Sequence, residues 1–291
     1  MRFVNAKLNL GLNIVARRED GYHLLETVFY PVGIYNGTPS CPDPFCDIIE
    51  AVYLPDSKSN DYRFEGRRID CPPEKNLVVR AAEAVSDATG LHFAVTTVKS
   101  LPDGAGLGGG SADATLTLTL LCDLIEEMHL SDVASQLRSR LPEIALSLGA
   151  DCPFFLLNSP ALGEGIGERL SPLPEKLKDM WCVIAKPDIY ISTREAFQGV
   201  SPRRPAISVE DIYMRPVGEW KGLMTNDFEA GLFLLYPVLA EIKERLYASG
   251  AIYAQMSGSG ASLFGIYKDE EAARAALRLF EDISYTAICR L

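Results

Sequence analysis

Residues 3–15, FVNAKLNLGLNIV, alternate strictly, with Val4, Ala6, Leu8, Leu10, Leu12 and Ile14 apolar and Asn5, Lys7, Asn9, Gly11 and Asn13 between them. A period of two puts the two sets on opposite faces and predicts a half-buried strand. Its second face carries amides and one lysine rather than the Lys/Glu/Thr mixture of an ordinary solvent face. Further apolar or alternating runs, ETVFYPV, CDIIEAVY, DYRFEG and FAVTTV, are each bounded by turn residues, so the first hundred residues read as strand-rich. One helix interrupts them. Asn76 is the expected N-cap of LVVRAAEAVSDA, where Leu77, Val78, Ala81, Ala82 and Val85 recur at helical spacing before Gly90.

Three helical patterns follow residue 110: SADATLTLTLLCDLIEEM, apolar almost all round, then SDVASQLRSRL and PEIALSLGA. Beyond DCPFFLL the composition shifts, and 158–178 is rich in Gly, Pro and Glu. This places a domain boundary there and divides the chain into 1–157 and 158–291. The second part reads as a strand from Trp181 to Ala185, the helix TREAF and one helical stretch NDFEAGLFLLYPVLAEIKERLYASG. A strand, the loop SGSGAS, a strand, the helix EEAARAALRLF and a last strand complete it. The fold class is α+β, with sheets that are not a doubly wound repeat. Segment 33–49, GIYNGTPSCPDPFCDII, has no functional reading.

Charge and composition narrow the function. The chain has 291 residues, a net charge of −11 and 47% hydrophobic residues. An acidic chain without a basic footprint is not a nucleic-acid binder. No apolar run approaches the roughly 20 residues of a spanning helix, and the N-terminus lacks a leader pattern, so no membrane partner and a cytoplasmic location are expected. Seven scattered cysteines, Cys41, Cys46, Cys71, Cys122, Cys152, Cys182 and Cys289, read as reduced core thiols. Cys41 and Cys46 are spaced too widely for a zinc knuckle, and no second pair stands nearby.

The stretch Leu101 to Ala114, LPDGAGLGGGSADA, has five glycines in the seven positions 104–110 and runs directly into helix-forming residues. A P-loop fails because no Gly-Lys-Ser/Thr closes it, and the dinucleotide fingerprint fails because one long helix follows where a strand and an acid are needed. An anion cradle fits. Glycines let successive N–H groups face a ligand, and a helix starting at Ser111 adds positive potential, so an acidic protein can hold a triphosphate through its backbone. Lys99 is an extra positive charge beside the loop, or else a solvated strand-end lysine. Asp113 would repel phosphate unless a cation lies between them or the side chain points away.

The run Pro102, Asp103, Gly104, Ala105, Gly106, Leu107, Gly108, Gly109, Gly110, Ser111 and Ala112 resembles the phosphate-binding motif of the GHMP kinases. NAKLNLGL near the N-terminus and QMSGSGASLFGIY near the C-terminus are similar to the other two family motifs, in the same order. The resemblance spans nearly the whole chain. It implies a two-lobed fold with an N-terminal ATP-binding lobe, a smaller C-terminal lobe and the active site in the cleft between them. Ala112 departs from the family's second Ser, and 33–49 is longer than the pattern.

Phosphoryl transfer to an alcohol needs the phosphate held in line, its charge neutralised and the hydroxyl positioned. Asp151, a carboxylate at the edge of the apolar CPFF, is the candidate proton acceptor, and Lys7 is the candidate lysine beside it; the resemblance implies the same catalytic pair. Within the family, DGYHLLE and GADCPFFL are similar to the branch acting on a cytidyl-linked methylerythritol. That similarity implies that Tyr22 and His23, with Phe197, sandwich and hydrogen-bond a cytosine base, that Asn9 and Thr193 place the substrate, and that Gly258 shapes the site. It also implies that Asn76 and Leu77 touch adenine, beside the capping role of Asn76. His92 and His129 read as structural. ATP and Mg²⁺ are the expected cofactors, with metal ligands not assigned: Asp113 and Ser111 are candidates, the alternative being an ion held largely by phosphate and water. The expected assembly is a monomer or weak homodimer. A homoserine- or mevalonate-type kinase of the family has no need of a nucleobase clamp, and a catalytically silent nucleotide binder has no need to keep both Lys7 and Asp151.

Overall fold

The computed structural model describes residues 1–35, 38–39, 45–69 and 71–291. The chain runs β1 (Arg2–Val4), β2 (Ala6–Arg17), β3 (His23–Val32), β4 (Ile34–Tyr35), β5 (Thr38–Pro39), β6 (Asp47–Tyr53), β7 (Asp61–Gly66), α1 (Leu77–Thr89) and β8 (Phe93–Lys99). Then come α2 (Gly109–Glu127), α3 (Ser131–Leu148), α4 (Cys152–Leu157), β9 (Ala161–Gly165), β10 (Arg169–Pro172), β11 (Trp181–Lys186), α5 (Thr193–Gln198) and α6 (Val209–Tyr213). The rest is α7 (Asp227–Leu235), α8 (Pro237–Ala248), β12 (Tyr253–Met256), β13 (Leu263–Tyr267), α9 (Glu270–Leu277) and β14 (Tyr285–Arg290).

The chain forms two compact units that are not consecutive halves. One comprises Met1–Ala6, Cys46–Asp103 and Gly108–Asn158; the other comprises Lys7–Phe45, Gly104–Leu107 and Ser159–Leu291. The last segment of the first unit ends at Asn158. Residues 7–45, expected with the N-terminal part, belong to the second unit because β2 and β3 share a sheet with β9 and β10.

In the first unit the sheet order is β1-β6-β8-β7, antiparallel except where β7 runs parallel to β8. Helix α2 packs on β1 and β6 and is flanked by α1, α3 and α4. Its Ala112, Ala114, Leu118, Leu121 and Ile125 are fully buried, the central position that its nearly uniform hydrophobicity predicts. Each such Leu or Ile contributes about 1.5–3 kcal/mol by leaving water. Asn76 caps α1 by accepting from Val78 N–H at 2.9 Å, and left-handed Gly90 ends it, as the sequence predicts. The two patterns expected after α2 are one helix, α3, with Pro142 inside it. Pro142 lies on the exposed face, so the hydrogen bond it cannot make is lost on the solvent side.

In the second unit one sheet has the order β10-β9-β3-β2 and the other β12-β13-β11-β14. The latter is antiparallel throughout and covered by α8 and α9. Its core joins Leu12, Val183, Phe228, Ile242, Leu263 and Phe280. The long pattern 226–250 divides into α7 and α8 at Tyr236, because Pro237 excludes helical geometry from the residue before it. The Gly/Pro/Glu-rich segment holds the hairpin β9–β10, which its composition hides. Among the described cysteines, Cys46, Cys122, Cys152, Cys182 and Cys289 are buried and only Cys71 is exposed. Cys41, and with it any reading of the Cys41–Cys46 pair, lies outside the described residues. Among the described residues no helix is long and apolar enough to cross a membrane.

Candidate active site

Strand β2 corrects the expectation of a half-buried strand: Lys7, Asn9 and Asn13 are buried along with the apolar set. A buried polar face must be internally bonded, and here the bonds converge on Lys7. Its Nζ donates to Asn9 Oδ1 at 2.5 Å and to the Gly106 carbonyl at 3.1 Å, and lies 5.4 Å from the centroid of the Phe29 ring. Asn9 Nδ2 donates to Thr27 Oγ1 at 3.0 Å, and the Thr27 hydroxyl donates to the Gly11 carbonyl at 2.5 Å. Asn9 therefore orients Lys7, a role the sequence reading missed together with Thr27.

The first half of the glycine stretch, Gly104–Leu107, is held in the same unit. Lys7 N–H donates to Leu107 O at 2.9 Å, Ser262 N–H to Ala105 O at 3.3 Å and Ser257 Oγ to Gly106 O at 2.9 Å. Gly106 has φ +70°, and a Cβ there would lie 2.0 Å from the Ser257 carbonyl oxygen. Gly258 has φ +55°, and its Cβ would come within 3.0 Å of Asn9 Oδ1. Only glycine permits both approaches. The 257–262 loop is thus packed on Asn9 and on the Gly104–Leu107 half of the stretch that Lys7 also grips.

The second half opens α2 in the first unit. Gly108 is its left-handed N-cap and the helix begins at Gly109, two residues before the expected Ser111. The N–H groups of Gly109, Gly110 and Ser111 have no acceptor within the helix, and two of the three residues carry no Cβ, which favours an anion there. Leu77 Cδ1 lies 3.9 Å from the point a Gly110 Cβ would occupy, so the start of α1 adjoins this turn. Pro102 and Ala112 are buried, Ser111 is half-buried and Asp103 exposed. Asp151, half-buried, is the residue preceding α4, in a turn closed by Cys152 N–H donating to Gly149 O at 3.1 Å. A Cβ on Gly149 would stand 3.8 Å from Ser111 Oγ. The Asp151 turn therefore lies against the first turn of α2.

Lys99 is neither a free charge for phosphate nor a solvated lysine. It is buried, and its Nζ donates to Asp47 Oδ2 and, at 2.6 Å, to Asp113 Oδ2. Asp47 Oδ1 also accepts from Ser100 N–H and Leu101 N–H at 2.6 and 2.8 Å, which anchors the chain just before the loop. Burial pulls the Lys99 pKa down, but the two carboxylates outweigh it and hold it above the ordinary lysine value. Burial pushes the Asp113 carboxyl up to about 7 despite Lys99. Asp113 thus points into the core and is withdrawn as a metal candidate. Nothing local marked Asp47, which leads an ordinary-looking strand.

His23 and Phe197 meet in the second unit, with stacked rings 4.4 Å between centroids and 13° between planes. Phe228 meets Phe197 edge-on at 4.9 Å. Helix α5 carries Thr193 in its exposed first turn, with Phe197 one turn on; Ser192 caps it by accepting from Glu195 N–H at 3.2 Å. Tyr22 is 61% exposed at a turn closed by Arg18 N–H donating to its carbonyl at 2.7 Å. Burial, then the charge of Arg17, lowers the His23 pKa, so the imidazole is neutral at pH 7. The two rings touch, which leaves no space for a base between them.

Among the described residues no three His, Cys, Asp or Glu side chains gather as a metal site. The unit that carries the α2 turn and Asp151 offers what phosphoryl transfer asks of a protein, oriented donors and a carboxylate. The family model for the GHMP kinases N terminal domain matches residues 76–159, and that for GHMP kinases C terminal matches 209–282. The chain belongs to the GHMP kinase family.

More particularly, the chain is 46% identical over 271 residues to the 4-diphosphocytidyl-2-C-methyl-D-erythritol kinase of Bacteroides fragilis, covering 92% of each chain. It is 43% identical over 269 residues to the enzyme of the same name from Bacteroides thetaiotaomicron, again with 92% of each covered. A crystal structure of 4-(cytidine 5'-diphospho)-2C-methyl-D-erythritol kinase superposes with a TM-score of 0.77 at 31% identity, covering 99% of this chain and 97% of that one. Homoserine kinase from Cytophaga hutchinsonii shares the fold, with a TM-score of 0.61 at 15% identity over 99% of this chain and 95% of that one.

Proposed function

We propose that this chain transfers the terminal phosphate of ATP to the 2-hydroxyl of 4-diphosphocytidyl-2-C-methyl-D-erythritol, releasing ADP and the 2-phosphate, in isoprenoid precursor biosynthesis. The observation that carries the reading is 46% identity over 92% of the chain to a kinase named for that substrate. The His23–Phe197 stack supports it, because homoserine or mevalonate presents no base to stack. The cytosine caps the His23–Phe197 pair beside Tyr22, with neutral His23 offering one donor and one acceptor to its edge. Thr193, Asn9 and Gly258 line the substrate's path.

ATP lies on residues 102–112, its phosphates on the N–H groups at the start of α2 and its adenine beside Asn76 and Leu77. Lys7 neutralises charge on the transferring phosphoryl group, and Asp151 orients the hydroxyl and receives its proton. Among the described residues none form a cage for Mg²⁺, and the reading has the ion arrive with the nucleotide as MgATP, held by phosphate and water. We take the catalytic domains as 1–157 and 158–291, the location as the cytoplasm and the assembly as a monomer or weak homodimer, which light scattering measures directly.

The test is ADP release by purified protein with MgATP and, separately, the cytidyl-linked methylerythritol, homoserine, mevalonate and galactose. Turnover with the first alone, reduced about 10²–10⁴-fold in Asp151→Asn, is the expected result. Turnover with another alcohol overturns the base-binding role of Tyr22, His23 and Phe197 and keeps the kinase.

A further inference from the structure

Helix α2 carries three threonines at alternate positions whose hydroxyls all return to a carbonyl of their own helix. Thr115 donates to Ser111 O at 2.9 Å, Thr117 to Asp113 O at 2.7 Å and Thr119 to Leu116 O at 3.1 Å. Such back-bonding satisfies a hydroxyl inside a helix and by itself has no functional meaning. Thr115 differs from the other two. Its Oγ1 also lies 3.0 Å from the carbonyl of Cys152, 37 residues away and immediately after Asp151. One hydroxyl hydrogen is shared between the first turn of α2 and the first residue of α4, at a site fully shielded from water.

The surroundings reinforce that link. Cys152 N–H closes the turn onto Gly149 O, and a Cβ on Gly149 would stand in ordinary van der Waals contact with Ser111 Oγ, at 3.8 Å, so the turn packs directly on the first turn of α2. Burial pushes the Cys152 thiol up, and the neighbouring Ser111 and Thr115 side chains pull it partly back. Residues 149–152 are therefore tied to α2 one turn below the N–H groups that face an anion.

The geometry points to Thr115 as a positioning residue: its hydroxyl fixes the turn bearing Asp151 against the N-terminal turn of α2, and so sets the carboxylate relative to the bound phosphates. This rests on the catalytic reading of Asp151 given above. Thr115 touches no reacting atom. A displacement of about 1 Å at the reacting centre costs up to 10²-fold, and the loss of one shared hydrogen bond permits a part of that.

The experiment compares Thr115→Val, which keeps the shape and removes the hydroxyl, with Thr115→Ser, which restores it, and Thr117→Val, which removes a back-bond alone. Amide exchange of residues 149–153 and steady-state kinetics with MgATP and the cytidyl-linked methylerythritol are measured on each full-length protein. Expected for Thr115→Val are faster exchange in 149–153 and a kcat lower by about 10-fold with each KM within about 3-fold. Thr115→Ser stays within about 2-fold of wild type in both readouts, and Thr117→Val matches wild type. Unchanged exchange in Thr115→Val, faster exchange with unchanged kcat, or an equal loss in Thr117→Val overturns the assignment. Wild-type protein inactive on every alcohol strikes the proposed function instead, and the exchange arm still decides whether Thr115 holds the turn.

Discussion

Two buried lysines flank the glycine stretch, and their surroundings differ in kind. Lys99, in the first unit, donates to two buried carboxylates and lies 3.6 Å from the position of a Gly109 Cβ. Lys7, in the second, donates to an amide oxygen and to the Gly106 carbonyl of the stretch itself. Position near a phosphate loop therefore says little about a lysine's use. Its partners decide it: carboxylates make Lys99 a strut, while the contact with the loop leaves Lys7 aligned with it.

The widest separation between the two comes from replacing each by methionine. Lys99→Met strands two carboxylates in the core and is expected to cost about 3–5 kcal/mol of stability, read by denaturant unfolding. Lys7→Met is expected to lose less than half as much stability but to lower kcat about 10²–10³-fold. Equal stability losses in the two variants would erase the distinction.

Gly106→Ala tests the loop half that Lys7 grips. With a Cβ 2.0 Å from the Ser257 carbonyl at φ +70°, a loss of more than about 1 kcal/mol and a raised KM for ATP are expected. Phe197→Ala sits in the same unit as Lys7 and is expected to act on the other substrate, raising the KM of the cytidyl compound about 10-fold while KM for ATP stays put. A shift in both constants assigns Phe197 a general structural role.

The mildest change at neutral pH falls on the Lys99 side. Asp113 holds its proton up to about 7 in the folded chain and only to about 4 unfolded. Between those values the native state binds the extra proton, so stability falls as pH rises through that window. Asp113→Asn is expected to flatten this fall in a series of unfolding curves from pH 4 to 7. A fall as steep in the variant shows that another group carries it.

Much of the secondary structure was legible because its causes are local. Asn76 and Gly90 delimit α1 by capping, and the period of two located β3, β6, β7 and β8. The failures have physical reasons as well. Pro142 lies inside α3 on its exposed face, where water can serve the carbonyl that its missing N–H leaves unbonded. The β9–β10 hairpin has a composition dominated by turn residues and forms because β3 offers it an edge.

Around the site the same division holds. The ordered motifs identify the family, and the crowding of glycine before an apolar helix identifies an anion cradle, since both depend on neighbours in sequence. The sequence by itself determined the capped helix, the glycine stretch, the three motifs and the chemistry of Lys7, Asp151, His23 and Phe197 as candidates. Only the tertiary structure decided that Lys99 is consumed by Asp47 and Asp113, that Asn9 and Thr27 orient Lys7, and that Thr115 reaches Cys152. Periodicity and capping are set within a few residues, whereas the partner of a buried polar group is whichever residue the folded chain brings within 3 Å. For Lys99 and Asp47 that residue is 52 positions away.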